Sequence, residues 1–165
     1  MTKELKEYRT QLVNRLVNAA VRFREACLAV QDPHAPLEAG TWNVHQVAVH
    51  TRDVHTLVYG ARARRTAAED NPEFPNFDGD AYMMEQYDRN EPLDRLLNRF
   101  VGEVESFAAM LRGLPAEAWS RESRHAIMGN GFTLQTWVER DLAHIEEHVE
   151  TLSKLSKARY SSSTM

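Results

Sequence analysis

Cysteine is nearly absent from this chain, and long apolar runs are missing altogether. The 165 residues include one cysteine, Cys27, so an internal disulfide framework is excluded. The first ten residues are polar and charged, unlike a secretory signal peptide, and no apolar stretch approaches the length of a membrane span. These absences predict a cytoplasmic protein that does not use a membrane, with Cys27 as a buried, inert thiol.

The chain also lacks an excess of basic residues. It carries 20 Lys and Arg against 24 Asp and Glu, which gives a formal net charge of −4. This balance provides no general attraction to nucleic acid or to an anionic membrane, and we expect neither as a partner. The one dense basic run, Arg62, Arg64 and Arg65, falls where we expect a helix to end. We interpret it as a complement to the helix dipole, with a contact to an acidic substrate as the alternative.

Strand-type alternation is missing as well, whereas helical periodicity is strong. Apolar residues recur at three- and four-residue steps in four long segments, residues 3–30, 41–68, 92–111 and 133–157, and a short helical piece is expected at 80–89. Thr41 and Thr133 are the expected N-caps of the second and fourth long helices. The pattern predicts an all-α protein, a four-helix bundle with a long crossover connection through residues 114–132. Residues 1–158 would form its single domain, and 159–165 a disordered tail.

Three of the seven histidines are candidate metal ligands. On a helical wheel His50 falls among the apolar residues of the second helix, while His45 and His55 point to the opposite side, where we expect water. His144 and His148 are four residues apart, so their side chains lie one above the other on the fourth helix. Two imidazoles at this spacing chelate one ion, and an inward-facing imidazole needs either a metal or hydrogen-bond partners. The alternative is a hydrogen-bonded core histidine and a solvated pair.

Two carboxylates lie near these histidines on their helix faces. Asp53 follows His50 by three residues, and Asp141 precedes His144 by three. Each could accept a hydrogen bond from a ligand imidazole or act as a general base, and the alternative is a solvated carboxylate or a salt bridge. The sequence offers no evident fourth ligand, so the ion would keep open positions for water or a thiol.

Signatures of other common sites are missing. The chain has no P-loop, no dinucleotide fingerprint and no G-x-S-x-G elbow, and the Gly129–Gly131 run is interpreted as a turn. Ile145 stands where an H-E-x-x-H metalloprotease needs Glu, so that class is excluded. Other aromatic, arginine and methionine side chains are possible pocket or substrate contacts, although core packing explains most of them equally well: Trp42, Trp137, Tyr87, Arg89, Met83, Met84 and Met128.

Two segments of the chain resemble a known family. The segment Trp42–His50, followed by Asp53, is similar to the second-helix signature of the DinB-like superfamily, a Trp at the helix start and a His eight residues on. The segment His144–Val149 resembles the last-helix signature of that family, H-x-x-x-H followed by an apolar residue. The order of the helices along nearly the whole chain is also in keeping with this family.

This resemblance implies a four-helix bundle, often a homodimer, with a divalent metal on His50, His144 and His148. Zinc is the default ion, and nickel, iron or manganese are alternatives. The family includes enzymes that use low-molecular-weight thiols, such as mycothiol-dependent maleylpyruvate isomerase and bacillithiol transferases. We therefore expect a metal-dependent enzyme for a small-molecule substrate, either a thiol-dependent transferase or isomerase, or a hydrolase. The alternative is a non-catalytic stress-response module in which the metal is structural.

Overall fold

Four long helical rods form the body of the protein. The computed structural model describes residues 1–38 and 41–162, with side chains described as far as residue 155. The rods are α1 (Lys3–Leu28), a second rod made of α2 (Val44–Asp53), a π-helical segment (Val54–Tyr59) and α3 (Gly60–Ala68), then α5 (Leu93–Gly113) and α6 (Leu134–Ser162). The shorter α4 (Gly79–Gln86) and a 3-10 turn (Ala116–Ser120) lie in the connections, the latter within the predicted crossover.

The rods pack around one apolar core. Helix α1 contacts both α5 and α6, and the second rod contacts α5 through α2 and α6 through α3. Each rod contributes residues at three- and four-residue steps, and the largest side chains that are fully buried include Phe23, Phe100, Phe107, Trp137 and Ile145. The predicted four-helix bundle is therefore confirmed. Within the described residues, no helix combines the length and the apolar character that a bilayer crossing requires.

Burial makes Cys27 inert, as the sequence indicates. Its side chain is fully buried in the inward face of α1. Burial also raises the pKa of its thiol to about 12. Because the thiolate is the reactive form, this cysteine is not available as a nucleophile near neutral pH.

The second rod begins two residues later than expected. Asn43 is the N-cap: its side chain accepts a hydrogen bond from the Gln46 backbone N–H, and the Gln46 side chain accepts one from the Asn43 N–H. The prediction that Thr41 caps this helix was wrong, because the Thr41 hydroxyl closes the preceding turn with Glu38. Thr133 does cap α6, since its hydroxyl accepts from the Thr136 N–H at 3.1 Å.

The π-helical segment interrupts the regular geometry of the second rod. It holds one residue more per turn than the helix around it and so rotates the residues that follow. Gly60 ends the segment at a point of close approach, where an added Cβ would lie 2.6 Å from the carbonyl oxygen of His55. A helical wheel drawn at a constant angle therefore misplaces residues beyond Asp53.

Two histidines expected to face water are buried instead, each 1% exposed. His55 lies in the π-helical segment and turns inward against Phe100 and Phe107 of α5. His45 is covered by the connection before α5, where it contacts the Tyr87 hydroxyl at 2.8 Å and the Glu91 carbonyl at 2.7 Å. Both predictions were wrong because these faces are covered by segments distant in sequence.

A small sheet lies at one end of the bundle, although the sequence predicts no strands. Strand β1 (Glu73–Phe74) is parallel to β2 (Glu122–His125), which is antiparallel to β3 (Gly129–Thr133). Strands of two to five residues are too short for alternation to stand out. The expected turn at Gly129–Gly131 is the start of β3 instead, and the tight turn precedes it at residues 126–128.

Helix α6 extends further than predicted. It runs to Ser162 and so includes the first residues of the expected disordered tail, 159–162. The rest of that predicted tail, residues 163–165, lies outside the described part of the chain.

Candidate metal centre

Three imidazoles from two rods meet at one point. His50 comes from α2, and His144 and His148 come from α6. The Nε2 atoms of His50 and His144 are 3.2 Å apart, and those of His144 and His148 are 3.1 Å apart. Two nitrogens on one tetrahedral zinc ion are about 3.3 Å apart, as follows from zinc–nitrogen bonds of about 2.0–2.1 Å. The donor atoms and their separations thus fit a single divalent ion.

Helical spacing and aromatic packing set the orientation of these rings. One turn of α6 separates His144 from His148, whose ring planes are nearly perpendicular at 89°. Trp42, just before α2, lies against the His50 ring with 4.9 Å between centroids. Tyr59 lies 6.0 Å from the His144 ring on the other side. The aromatic neighbours limit the rotation of the imidazoles and lower the polarity around them.

All three imidazoles are held in the neutral form that binds metals. Burial is the main cause that lowers the pKa of His144 to about 3 and that of His148 to about 4, and neighbouring imidazoles contribute to both shifts. Burial also lowers the pKa of His50, against the opposing charges of Asp80 and Asp53. Protons therefore do not compete strongly for these nitrogens near neutral pH.

The three histidines are partly accessible to solvent. Each of the three histidines is only partly buried, and among the described residues they form the one set of His, Cys, Asp or Glu close enough to hold an ion. A structural zinc site is normally closed by four protein ligands, whereas catalytic sites keep a position for water or substrate. The arrangement therefore has the ligand number of a catalytic site.

The two predicted carboxylates have other partners. Asp53 forms an ion pair with Arg52, with 2.9 Å between Oδ1 and Nε. Asp141 is fully buried, and its Oδ2 lies 2.7 Å from Nδ1 of His55 rather than beside a ligand imidazole. The Nδ1 atom of His144 is itself buried without a hydrogen-bond partner. A direct bond from either carboxylate to a ligand histidine is thus absent among the described residues.

Two residues near the centre carry no sequence signal. Gly79, at the start of α4, approaches His50 so closely that an added Cβ would lie 3.2 Å from Cε1 of the ring. The next residue, Asp80, is exposed, and its charge raises the pKa of His50. Their proximity depends on how α4 folds back over α2, which no local pattern predicts.

The remaining sequence candidates are dispersed. Trp137 is fully buried, as expected for a core residue, and Tyr87 binds His45 through its hydroxyl. Arg89 is exposed. Met83 is buried in the core, whereas Met84 and Met128 are exposed, so the three methionines do not line one pocket: their exposed fractions are 5%, 89% and 46%.

Comparison with known proteins supports the same architecture. Proteins of curated function give no significant match. The solved structure of YfiT from Bacillus subtilis, described as a probable metal-dependent hydrolase with an unusual four-helix bundle topology, is similar with a TM-score of 0.84. The similarity covers 96% of this chain and 90% of YfiT at 20% sequence identity, which establishes a common fold.

The family resemblance in the sequence is also confirmed. The two motifs that carry it, around His50 and around His144, occupy facing positions in the bundle. The family model of the DinB superfamily matches residues 3–152, which include the first three rods, most of α6 and both motifs. The chain therefore belongs to the DinB superfamily.

Proposed function

We propose that this protein is a divalent-metal-dependent enzyme whose ion is held by His50, His144 and His148. The observation that carries the proposal is the convergence of three neutral imidazoles on a partly exposed site, where Nε2 of His144 lies 3.2 Å and 3.1 Å from Nε2 of His50 and His148. The description of YfiT as a probable metal-dependent hydrolase supports the same class of function. Zinc is the expected ion because three imidazoles and one open position suit it, and nickel, iron and manganese are alternatives.

The residues of the chain divide the chemical tasks. The three histidines bind and orient the ion, which when bound acts as a Lewis acid toward water or a thiol. Asp80 is exposed and follows Gly79, which approaches the His50 ring, so we assign it as the acceptor of the proton from the incoming nucleophile. Asp53 is a weaker candidate for this role, because its carboxylate already forms an ion pair with Arg52. Trp42 covers His50 and limits the access of water to one side.

Two reactions are consistent with this site. Hydrolysis of a small-molecule substrate uses water as the nucleophile, as the description of YfiT suggests for that protein. Transfer or isomerisation that depends on a low-molecular-weight thiol uses a sulfur nucleophile, as the family resemblance implies. We also keep the homodimer of that resemblance as a proposal, to be checked by the mass of the protein in solution.

A second candidate function is a non-catalytic module with a structural ion. The observation in its favour is that the ligands come from α2 and α6, so an ion there cross-links two rods of the bundle. This function predicts a tightly enclosed ion with no exchangeable ligand. The enzyme predicts an ion that exchanges its open ligand with water or a thiol.

The decisive experiment measures metal content by elemental analysis of the tag-free protein. We expect about one ion per chain in the wild type and almost none in His50→Ala or His148→Ala. His34→Ala is the matched control, because His34 is part of no metal-binding group among the described residues. If the wild type binds no zinc, nickel, iron or manganese even when these are supplied, the proposal is wrong.

A second measurement separates the enzyme from the structural module. Cobalt replaces the native ion, and its visible spectrum is recorded while 2-mercaptoethanol is added. A new thiolate-to-cobalt band that His148→Ala lacks supports an open, catalytic coordination position. An unchanged spectrum together with a large loss of thermal stability on chelation would favour the structural module.

A further inference from the structure

Two arginines, one from α3 and one from α6, each lie over a ring of one stacked aromatic pair. Arg62 of α3 is 7% exposed, and its guanidinium lies 4.9 Å from the centroid of Trp137. Arg140 of α6 lies 5.3 Å from the centroid of Phe132. The rings of Phe132 and Trp137 are themselves stacked, with 4.8 Å between centroids and 17° between planes. We call Arg62 and Arg140 the arginine pair.

The charge of the arginine pair is not neutralised. Among the described residues, neither guanidinium is within salt-bridge distance of a carboxylate, and the hydrogen bond that Arg62 makes is to the Pro75 carbonyl at 2.9 Å. The partly buried Arg52 is neutralised in the usual way, because it forms ion pairs with the carboxylates of Asp53 and Glu91. A buried guanidinium without a carboxylate is costly unless another anion binds it.

The two positive charges also act on each other and on a shared neighbour. Burial lowers the pKa of Arg62, and the charge of Arg140 adds to this effect while Tyr59 opposes it. Burial lowers the pKa of His125 too, and the charges of Arg62 and Arg140 both contribute. The arginine pair therefore creates a local positive potential on a protein whose net charge is −4.

A continuous row of side chains connects the arginine pair to the metal centre. Arg140 precedes His144 by four residues and therefore lies one turn away on the same face of α6. Tyr59 lies 6.0 Å from the His144 ring and 6.4 Å from the Trp137 ring, over which Arg62 lies. Tyr59 therefore lies between the ring under Arg62 and the histidines, so a molecule that binds the arginines would extend past Tyr59 toward His144.

We propose that the arginine pair is an anion subsite that binds the carboxylate of a small organic substrate, whose reacting end lies at the three-histidine centre. The planar guanidinium matches the two oxygens of a carboxylate, and stacking on an aromatic ring leaves its edge donors free. The partly exposed rings of Phe132 and Tyr59 suit an apolar carbon skeleton, and the buried ring of Trp137 supports them from below. The subsite adds a substrate class to the proposed function. Carboxylate binding by the arginine pair is independent of that function, whereas a reaction at the three histidines rests on it.

The test uses calorimetric titration of the full chain with phenylacetate and with its neutral analogue phenylacetamide. The protein is first treated with a chelator, so that a carboxylate cannot bind through a metal ion. We expect phenylacetate to bind at least about tenfold more tightly than the amide, because only the acid carries a charge for the arginines. Equal affinity for the acid and the amide, or tighter binding of phenyl phosphate than of phenylacetate, would overturn the assignment to a carboxylate.

Charge-matched variants locate the binding site. Arg140→Met should weaken phenylacetate binding about tenfold or more, because the loss of an ion-paired hydrogen bond removes most of the discrimination. Arg99→Met removes the same charge from α5, where the exposed Arg99 pairs with Glu103, and should leave binding unchanged. If Arg140→Met binds like the wild type, or if Arg99→Met weakens binding equally, the subsite is refuted.

Two further controls keep the outcomes distinct. Arg62→Met is compared after its circular dichroism and melting temperature are measured, since Arg62 is buried and its loss can unfold α3. Because Arg140 is exposed, Arg140→Met decides the question if Arg62→Met does not fold. His148→Ala should abolish metal content but leave phenylacetate binding to the chelated protein intact. A protein that binds metal but not phenylacetate refutes the subsite alone, and one that binds phenylacetate but no metal refutes the proposed enzyme alone.

Discussion

At the scale of single residues, Gly79 has no Cβ, and this allows the start of α4 to pack against His50 of the candidate centre. Gly79 leaves room for the His50 ring, and a Cβ there would lie 3.2 Å from Cε1 and 3.5 Å from Nδ1. Such a contact is tighter than ordinary packing, so either the ring or α4 must move by a few tenths of an ångström. The position of one candidate ligand therefore depends on a residue that is not itself a candidate ligand.

We expect Gly79→Ala to weaken metal binding by about tenfold, as for other changes that disturb the orientation of a metal ligand. Affinity is measured by competition with a chromophoric chelator. Gly102→Ala is the control, because Gly102 is an exposed helical residue of α5 with nothing within 4 Å of an added Cβ. An affinity of Gly79→Ala equal to that of Gly102→Ala would contradict the assigned close approach.

Among the described residues, His55 and Asp141 form the most deeply buried contact between two ionisable side chains of opposite charge type. The two side chains are 1% and 0% exposed, and they bridge the second rod and α6 at 2.7 Å. We expect Asp141→Leu or His55→Leu to lower the free energy of unfolding by about 3–5 kcal/mol, because one buried polar group loses its partner. The double variant His55→Leu/Asp141→Leu should cost much less than the sum of the single changes.

Urea unfolding of the four proteins in this double-mutant cycle gives the coupling energy. The exposed pair of Glu150 and Lys154, one turn apart on α6, serves as the control and should show a much smaller coupling. If the effects of the two buried changes simply add, the contact contributes nothing beyond the packing of its two members.

At the scale of elements, the π-helical segment decides which faces of the second rod look inward. It brings His55 under α5, and it requires Gly60, since a Cβ there would lie 2.6 Å from a backbone oxygen. Gly→Ala in a regular helix stabilises by about 1 kcal/mol. We expect Gly60→Ala to destabilise by at least about 1 kcal/mol instead, because the backbone of the segment must shift.

Thermal and urea unfolding check this prediction, with Gly102→Ala again as the regular-helix control. The two variants should change stability in opposite directions. A gain in stability for Gly60→Ala would mean that the segment relaxes to α-helix without loss, and that the π geometry has no structural role.

The turn between β2 and β3 should be sensitive to acid through His125. Its Nδ1 accepts hydrogen bonds from the backbone N–H groups of Ile127 and Met128, so protonation of this nitrogen breaks both. Burial, with help from Arg62 and Arg140, lowers the pKa of His125 below its ordinary value of about 6.5. The unfolded state therefore binds the proton more readily, and this contribution to stability is complete above pH 6.5 and is lost as the pH falls.

The comparison of wild type with His125→Asn isolates this effect from the other histidines. Asparagine keeps an acceptor near the position of Nδ1 but does not titrate. We expect the wild type to lose more stability than the variant between pH 7 and pH 5, and the titration of His125 followed by NMR to have a midpoint below 6.5. Parallel stability curves for the two proteins would contradict the assignment.

At the scale of the whole molecule, the candidate ion lies between two rods that are joined mainly by core contacts. A ligand that binds only the folded state stabilises it, by about 2.7 kcal/mol at a free concentration of 100 times Kd. We therefore expect chelation to lower the melting temperature of the wild type by several degrees, and zinc to restore it. His50→Ala should melt at the same temperature with and without chelator, and a drop in that variant would point to an effect of the chelator itself.

The sequence alone determined the rods and the three histidines, because both depend on local geometry. Helical periodicity and the i, i+4 spacing of His144 and His148 are properties of a single segment, and so is the cap at Thr133. The inward direction of His50 followed from the apolar residues of its own helix. These features required no knowledge of what packs against each helix.

Only the tertiary structure decided which polar residues were covered and which of them met. His45 and His55 are buried by segments 40 or more residues away, and Asp141 met His55 instead of a ligand. The π-helical segment rotates the second rod, and the fold of α4 brings Gly79 and Asp80 to His50. The arginine pair likewise forms only when α3 and α6 lie side by side. Contacts between distant segments depend on how all the helices pack together, and the periodicity of one segment does not determine which other segment packs against it.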